Sequence, residues 1–287
     1  MSTRDGKKLR EGKKRSVVAS VGLHAALLTA SAISLIPLAW LALTSFKPKG
    51  AWISSDVRFF DQPTLDNYRY VLTETSFPRW LLNSVLVAGM TMVIGVLIAA
   101  STGYAISRFR FAGLRTILWL LLVTQMFPVA VLIVPLYNLL GRLGLINQYP
   151  GLVVAYLTVA VPFSAWMMKG YFDTIPTEID QAGQIDGLTP FGAFFRLILP
   201  LAKPGLAVAA FYSFITAWGE VAYATAFMTG DDHYTLAPGL QQFVSQTRAE
   251  WGWLTAAAVL ITIPAGAVFL AVQRHLVTGL TAGASKS

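Results

Sequence analysis

Six separate stretches of this chain, at about 18–45, 81–107, 114–140, 150–171, 204–228 and 253–273, are each long and apolar enough to cross a hydrocarbon core, which takes about 20 residues. Hydrophobic residues make up 55% of the 287 and charged residues 13%, against about a quarter charged in soluble domains. The bilayer is therefore the solvent. Lipid offers no partner to a backbone N–H or C=O, so each span must satisfy its own as a helix. The expected fold is all-α, a polytopic membrane bundle of six transmembrane helices.

Seven basic residues, from Arg4 to Arg15, precede the first run. A net charge of +8 could suit nucleic acid, but a cluster placed directly before a span is the positive-inside signal and orients the chain. With the tail in the cytoplasm, the inner side carries fifteen Lys and Arg: seven in the tail, three between spans two and three, three in 169–203 and two at the C-terminus. Seven of the 22 remain outside. Six spans then place both termini in the cytoplasm of a multi-pass protein of the cytoplasmic (inner) membrane. Ala30-Ser31-Ala32 resembles a cleavage site, but the apolar run continues to Leu43 and reads as an uncleaved first span. The expected layout is a basic tail 1–16, a first span 17–45, an external loop 46–80, a core 81–277 and a tail 278–287. Within the core lie a cytoplasmic loop 173–200 and an external loop 229–252.

The absence of Cys excludes disulfides and thiolate metal sites, and no metal site or internal repeat is expected. Prolines at 37, 128, 135, 162 and 264 fall within spans; each removes a helical hydrogen bond and tends to kink. Such kinks serve gating or are ordinary in membrane helices, and both readings stand. Ala88, Gly89, Gly95, Ala99, Ala100, Ser101 and Gly103 give span two a small-residue face for close helix packing.

The segment from Ile175 to Pro200 reads as two short helices. Pro176 suits an opening turn, Glu178 and Asp180 complement the positive dipole end, and Gly187 suits a left-handed stop. Thr189 then caps a second helix with Pro190 in its first turn. Phe191, Phe194, Phe195 and Ile198 form an apolar stripe expected to pack under the spans until Pro200 ends it. An amphipathic helix resting on lipid would show the same stripe.

The run Asp180-Gln181-Ala182-Gly183-Gln184-Ile185-Asp186-Gly187, followed by Leu199-Pro200, resembles the cytoplasmic EAA loop of binding-protein-dependent ABC importer permeases. Gln181 stands where that loop usually has Glu, and Gly183 replaces its second Ala. Asn83-Ser84, Gly103-Tyr104-Ala105, Arg108 to Phe111, Gln125 to Pro128, Pro135-Leu136-Tyr137, Leu143-Gly144-Leu145 and Ala217-Trp218-Gly219-Glu220 resemble the shorter permease subunit of maltose-type sugar importers.

That resemblance implies a transmembrane permease subunit of an ATP-driven importer for a small solute, most naturally a sugar such as a maltose-like oligosaccharide. Its implied partners are a second homologous permease, a dimer of cytoplasmic ABC ATPase subunits and an extracytoplasmic solute-binding protein, besides membrane lipid. Glu178, Asp180, Gln181, Ala182, Gly183, Asp186, Gly187 and Leu188 would couple to the ATPase. Asp231, Asp232, His233, Tyr234 and Gln241 of the external loop would meet the binding protein. The chain would be no enzyme and hold no cofactor, since ATP and Mg belong to the ATPase; its sequence has no Gly-rich Lys-Ser/Thr phosphate loop.

Glu220 is the acidic residue deepest within a span, and such groups are costly and usually functional. It is expected either to line the substrate path with Gln125, Tyr156 and Trp218 or to accept hydrogen bonds that fix the bundle. The alternative class is an ion-coupled secondary carrier, which places several ionisable relays within its spans. An embedded enzyme would need a nucleophile–base pair or clustered ligands, and neither is evident.

Overall fold

The computed structural model describes residues 17–48, 63–244 and 251–284, with side chains from Ser20 to His275. The basic tail 1–16 lies outside the described residues, as do 49–62 and 245–250 of the two loops expected to be external and the last three residues.

In chain order, α1 spans Val17–Ser45, α2 Asp66–Thr73, α3 Phe77–Arg108, α4 Leu114–Thr124, α5 Val129–Arg142 and α6 Tyr149–Phe172. The 173–200 segment follows as α7, Glu178–Ile185, and α8, Pro190–Ala193, which runs through a π-turn at Phe194–Ile198 into α9, Leu199–Leu201. Then come α10, Lys203–Trp218, α11, Ala222–Phe227, α12, Leu236–Gln241, and α13, Trp251–Ala284. Four helices, within α1, α3, α6 and α13, are long and apolar enough to cross a membrane, or up to six spans if two bent pairs, α4 with α5 and Pro190–Leu201 with α10, each count as one.

Two expected spans are broken. The 114–140 run turns by 108° between α4 and α5. Pro128, extended at φ −61° and ψ 132°, ends the break and opens α5, whereas Pro37, Pro135, Pro162 and Pro264 sit inside continuous helices. The 204–228 run divides at Gly219–Val221 into α10 and α11. At 16 residues, α10 alone falls short of the ~20 a span needs. Pro200 does not end the second helix of the 173–200 segment, which continues to Leu201 before bending 81° into α10.

The centre of the bundle is α3 packed along α6 and against α10, with α13 on α10 and α1 on α13. Of the small residues in span two, Ala88, Gly95, Ala99, Ala100 and Gly103 are buried. A Cβ on Gly103 would lie 2.8 Å from both the Lys169 backbone nitrogen and Met168 Cβ on α6. Since backbone cannot yield as a side-chain tip can, we expect Gly103→Val to separate the helices at a cost of about 1–3 kcal/mol. Thermal unfolding of the purified chain would measure it, and an unchanged midpoint would refute this packing. The outward faces of α1 and α13 stay apolar, with Leu28 71% and Leu270 64% exposed, as lipid or an apolar partner requires.

Candidate functional site

The hairpin of α7 to α9 is built much as its turn chemistry dictates. Gly187 takes φ 88° just after α7, a conformation costly for residues with a Cβ. The Gly192 N–H donates to Thr189 Oγ1 at 3.1 Å, capping α8. Of the expected stripe, Phe194 and Ile198 are buried beneath the bundle, whereas Phe191 and Phe195 remain exposed.

Asp180 turns inward from the hairpin. Its carboxylate accepts from the Tyr104 hydroxyl at 2.6 Å and from Arg108 Nε at 2.9 Å. Both ion-pair side chains are only 8% exposed. A second arm of Arg108 donates to the Ile175 carbonyl at 2.8 Å. Rings of Phe109, Phe172 and Phe194 surround Tyr104 with centroids 6.2, 5.7 and 4.5 Å away, shielding the pair from water. Beside it, Ser107 donates to Asp173 at 2.6 Å and Lys169 pairs with the same carboxylate at 2.5 Å.

Gly183 is buried as well, and a Cβ there would stand 2.5 Å from Leu197 Cδ1. Among the expected coupling residues, Glu178, Gln181, Ala182, Asp186 and Gly187 are exposed, Leu188 is half-buried, and Asp180 and Gly183 face the hairpin's interior. Sequence reasoning missed Arg108 and Tyr104 as partners of Asp180, because sequence distance carries no signal of contact. It also passed over Ile185, an apolar side chain 85% exposed at the hairpin tip.

Tyr156, Trp218 and Glu220 come together around one small cavity with Ser84 and Thr235. Glu220 stands just before α11 and caps it: Oε1 accepts from the Tyr223 N–H at 2.9 Å and Oε2 from the Ala224 N–H at 3.1 Å. A carboxylate suits a helix N-terminus because the free N–H groups and the dipole both favour negative charge. The buried Tyr156 hydroxyl interacts with the same carboxylate. Trp218 stacks on Phe214 with centroids 5.3 Å apart. Gln125 is not in this cluster; it sits at the α4–α5 break and donates to the Val159 carbonyl at 3.3 Å. Both breaks nevertheless bear on one turn of α6, at Tyr156 and Val159. The cavity measures about 10 Å³, the size of a water and far below a sugar ring.

The 229–252 loop is pinned, through its described residues, to the first turns of α3. Trp80 Nε1 donates to the Asp231 carbonyl and carboxylate at 3.2 and 3.0 Å. Asn83 donates to the carbonyls of Asp232 and Tyr234 at 3.2 and 2.8 Å, and Ser84 Oγ accepts from the Leu236 N–H at 2.8 Å. Ser76 bonds the Asp231 carboxylate, and Arg79 pairs with Asp232. His233 rests on the Tyr149 ring at 6.0 Å, and Gln241 donates to Thr225 Oγ1 at 3.4 Å. A Cβ on Gly239 would stand 2.3 Å from the Trp80 ring, so only glycine lets α12 lie this close. Among the described residues no group of three or more His, Asp or Glu could hold a metal ion.

Residues 91–281 match the family described as the binding-protein-dependent transport system inner membrane component. The maltose/maltodextrin transport system permease protein MalG of Vibrio parahaemolyticus is 38% identical, with 92% of this chain and 94% of that protein covered. The diacetylchitobiose uptake system permease protein NgcG of Streptomyces coelicolor is 32% identical, covering 91% and 87%. A chain of a bacterial ABC transporter that imports alginate has the same fold, with a TM-score of 0.74 at 22% identity over 91% of this chain and 97% of that one.

Proposed function

The chain belongs to the binding-protein-dependent transport system inner membrane components, and from that membership we propose that it forms one half of the translocation path of an ATP-driven sugar importer. Relatives that carry maltodextrin and diacetylchitobiose, each about a third identical over nearly the whole chain, support a hydroxyl-rich, neutral solute. The ion-coupled carrier falls away with family membership. The permease itself is non-catalytic, and ATP and Mg bind on the partner ATPase.

The observation that carries this reading is the cytoplasmic hairpin: a rigid platform, locked from inside by Asp180, that leaves Gln181, Gln184, Ile185 and Asp186 exposed. These residues, with Glu178, Ala182, Gly187 and Leu188, form the face that docks on the ATPase. Asp180 and Gly183 serve it from within. An apolar side chain in the middle of a polar face, as Ile185 is here, is the usual anchor of such a contact.

The path needs the second permease. A water-sized cavity beside Glu220 cannot pass a sugar, so Gln125, Tyr156, Trp218 and Glu220 form the wall of a chamber completed by the partner. On the opposite side, the loop bearing Asp231, Asp232, His233, Tyr234 and Gln241 receives the extracytoplasmic binding protein. The topology of this reading has six spans, with the α4–α5 and α10–α11 pairs each one broken span, and both termini in the cytoplasm.

In this naturally cysteine-free chain, Gln184→Cys and Ile185→Cys are expected to cross-link to the ATPase subunit in the assembled complex and to react only with reagents applied from the cytoplasm. Labelling from outside would overturn both topology and function. ATP-dependent uptake of maltose or a longer maltodextrin into vesicles, unaffected by collapse of ion gradients, tests the transport itself.

A further inference from the structure

One helix touches both ends of this machinery. Among the described helices of twenty residues or more, α1, α6 and α13 carry interior prolines, whereas α3 has its proline only in the first turn. Its 32 residues extend about 48 Å without a break.

Each end is fastened by polar contacts to a segment remote in sequence. At the cytoplasmic end, Tyr104 and Arg108 hold Asp180 of the hairpin, and Arg108 also holds the Ile175 carbonyl. At the external end, Trp80, Asn83 and Ser84 hold the backbone of residues 231–236. These three are buried, so their hydrogen bonds do not compete freely with water. Asn83 and Tyr104 lie 21 residues apart, about 32 Å along the helix axis.

Between the two fastenings, α3 presents small residues to its neighbours. Gly95 faces Ser213 of α10, and Gly103 faces Met168 and Lys169 of α6. A smooth, close-packed face of this kind suits small axial sliding of one helix on another, the shear mode of conformational change.

We propose that α3 is a rigid rod linking the cytoplasmic hairpin to the external loop, latched by Tyr104 and Arg108 on Asp180 at one end and by Trp80, Asn83 and Ser84 on residues 231–236 at the other. A push on α7 moves α3 as a body and shifts the external loop; a load on that loop reaches the hairpin by the same route. The break between α10, which packs on α3, and α11 absorbs the displacement. The inference rests on the importer reading, since it requires a driven partner at each end.

The test is a double-mutant cycle in the assembled importer, reading ATPase stimulation by its binding protein loaded with maltose. Tyr104→Phe with Arg108→Lys loosens the inner latch while keeping Asp180 paired with a cation. Asn83→Leu removes both outer donors at nearly constant volume. Each is expected to leave complex yield and unstimulated ATP hydrolysis within about twofold and to lower stimulation by about fivefold or more, the scale of a typical coupling between sites. The combined variant should be little worse than the weaker single one, because a rod cut at one end transmits nothing further. Effects that multiply would overturn the rod, as would unchanged stimulation in either single variant or a loss that only follows complex yield. Absence of ATP-dependent maltose uptake by the wild-type complex would instead sink the importer reading.

Discussion

Replacing Arg108 by alanine is expected to destabilise the α7–α9 hairpin by about 3–5 kcal/mol, the usual result of removing one partner from a buried ion pair. Asp180 would remain at 8% exposure, ringed by aromatic side chains, with only the Tyr104 hydroxyl to answer its charge. The Ile175 carbonyl would lose its guanidinium donor at the same time. Most of the cost comes from the stranded carboxylate, so Arg108→Met combined with Asp180→Leu should recover much of the lost stability. Limited proteolysis between Ile175 and Pro200, together with recovery of the ATPase in the purified complex, would measure the difference. An alanine variant as resistant as wild type would show that the pair does not hold the hairpin.

The second large effect is expected at Glu220. Glu220→Ala strands the N–H groups of Tyr223 and Ala224 and withdraws the acceptor beside the Tyr156 hydroxyl. Each buried group left unsatisfied costs of order 1–3 kcal/mol, and Tyr223 and Ala224 are both fully buried. Assembly should therefore fall before any transport defect can be separated from it. Glu220→Gln keeps one acceptor but turns an NH₂ toward the second N–H, so an intermediate yield is expected. Full assembly of the alanine variant would refute the capping role and return Glu220 to the path. Lost uptake with normal assembly and a shifted pH profile would point instead to proton transfer.

The contrast between Asp180 and Glu220 separates what pattern reading can and cannot reach. Both carry an acidic group that sequence marks as unusual, one by motif and the other by its depth in an apolar run. Their settings differ in ways that no local pattern records. Asp180 lies in a segment expected to face a partner, yet it points at a helix 72 residues away in sequence. Glu220 lies in a segment expected to be continuous helix, yet the chain breaks there, and the carboxylate serves the new helix start. Likewise Asp231 and Asp232 stand in a polar loop as expected, but much of their bonding runs to α3.

The sequence by itself determined that the chain is helical and lives in lipid, because 20-residue apolar runs admit no other solution for the backbone. It also determined the two-helix form of the 175–200 segment, since Gly187, Thr189 and Pro190 act on their own neighbours through turn and cap geometry. The family was legible for the same reason, as its motifs are contiguous. Only the tertiary structure decided that the third and fifth apolar runs are broken, which faces of the hairpin are free, and that α3 is fastened at both ends. Those outcomes depend on contacts between residues far apart in the chain, such as Arg108 with Asp180 and Asn83 with Tyr234. Hydropathy is a property of single positions and short windows, and it has no term for such pairs.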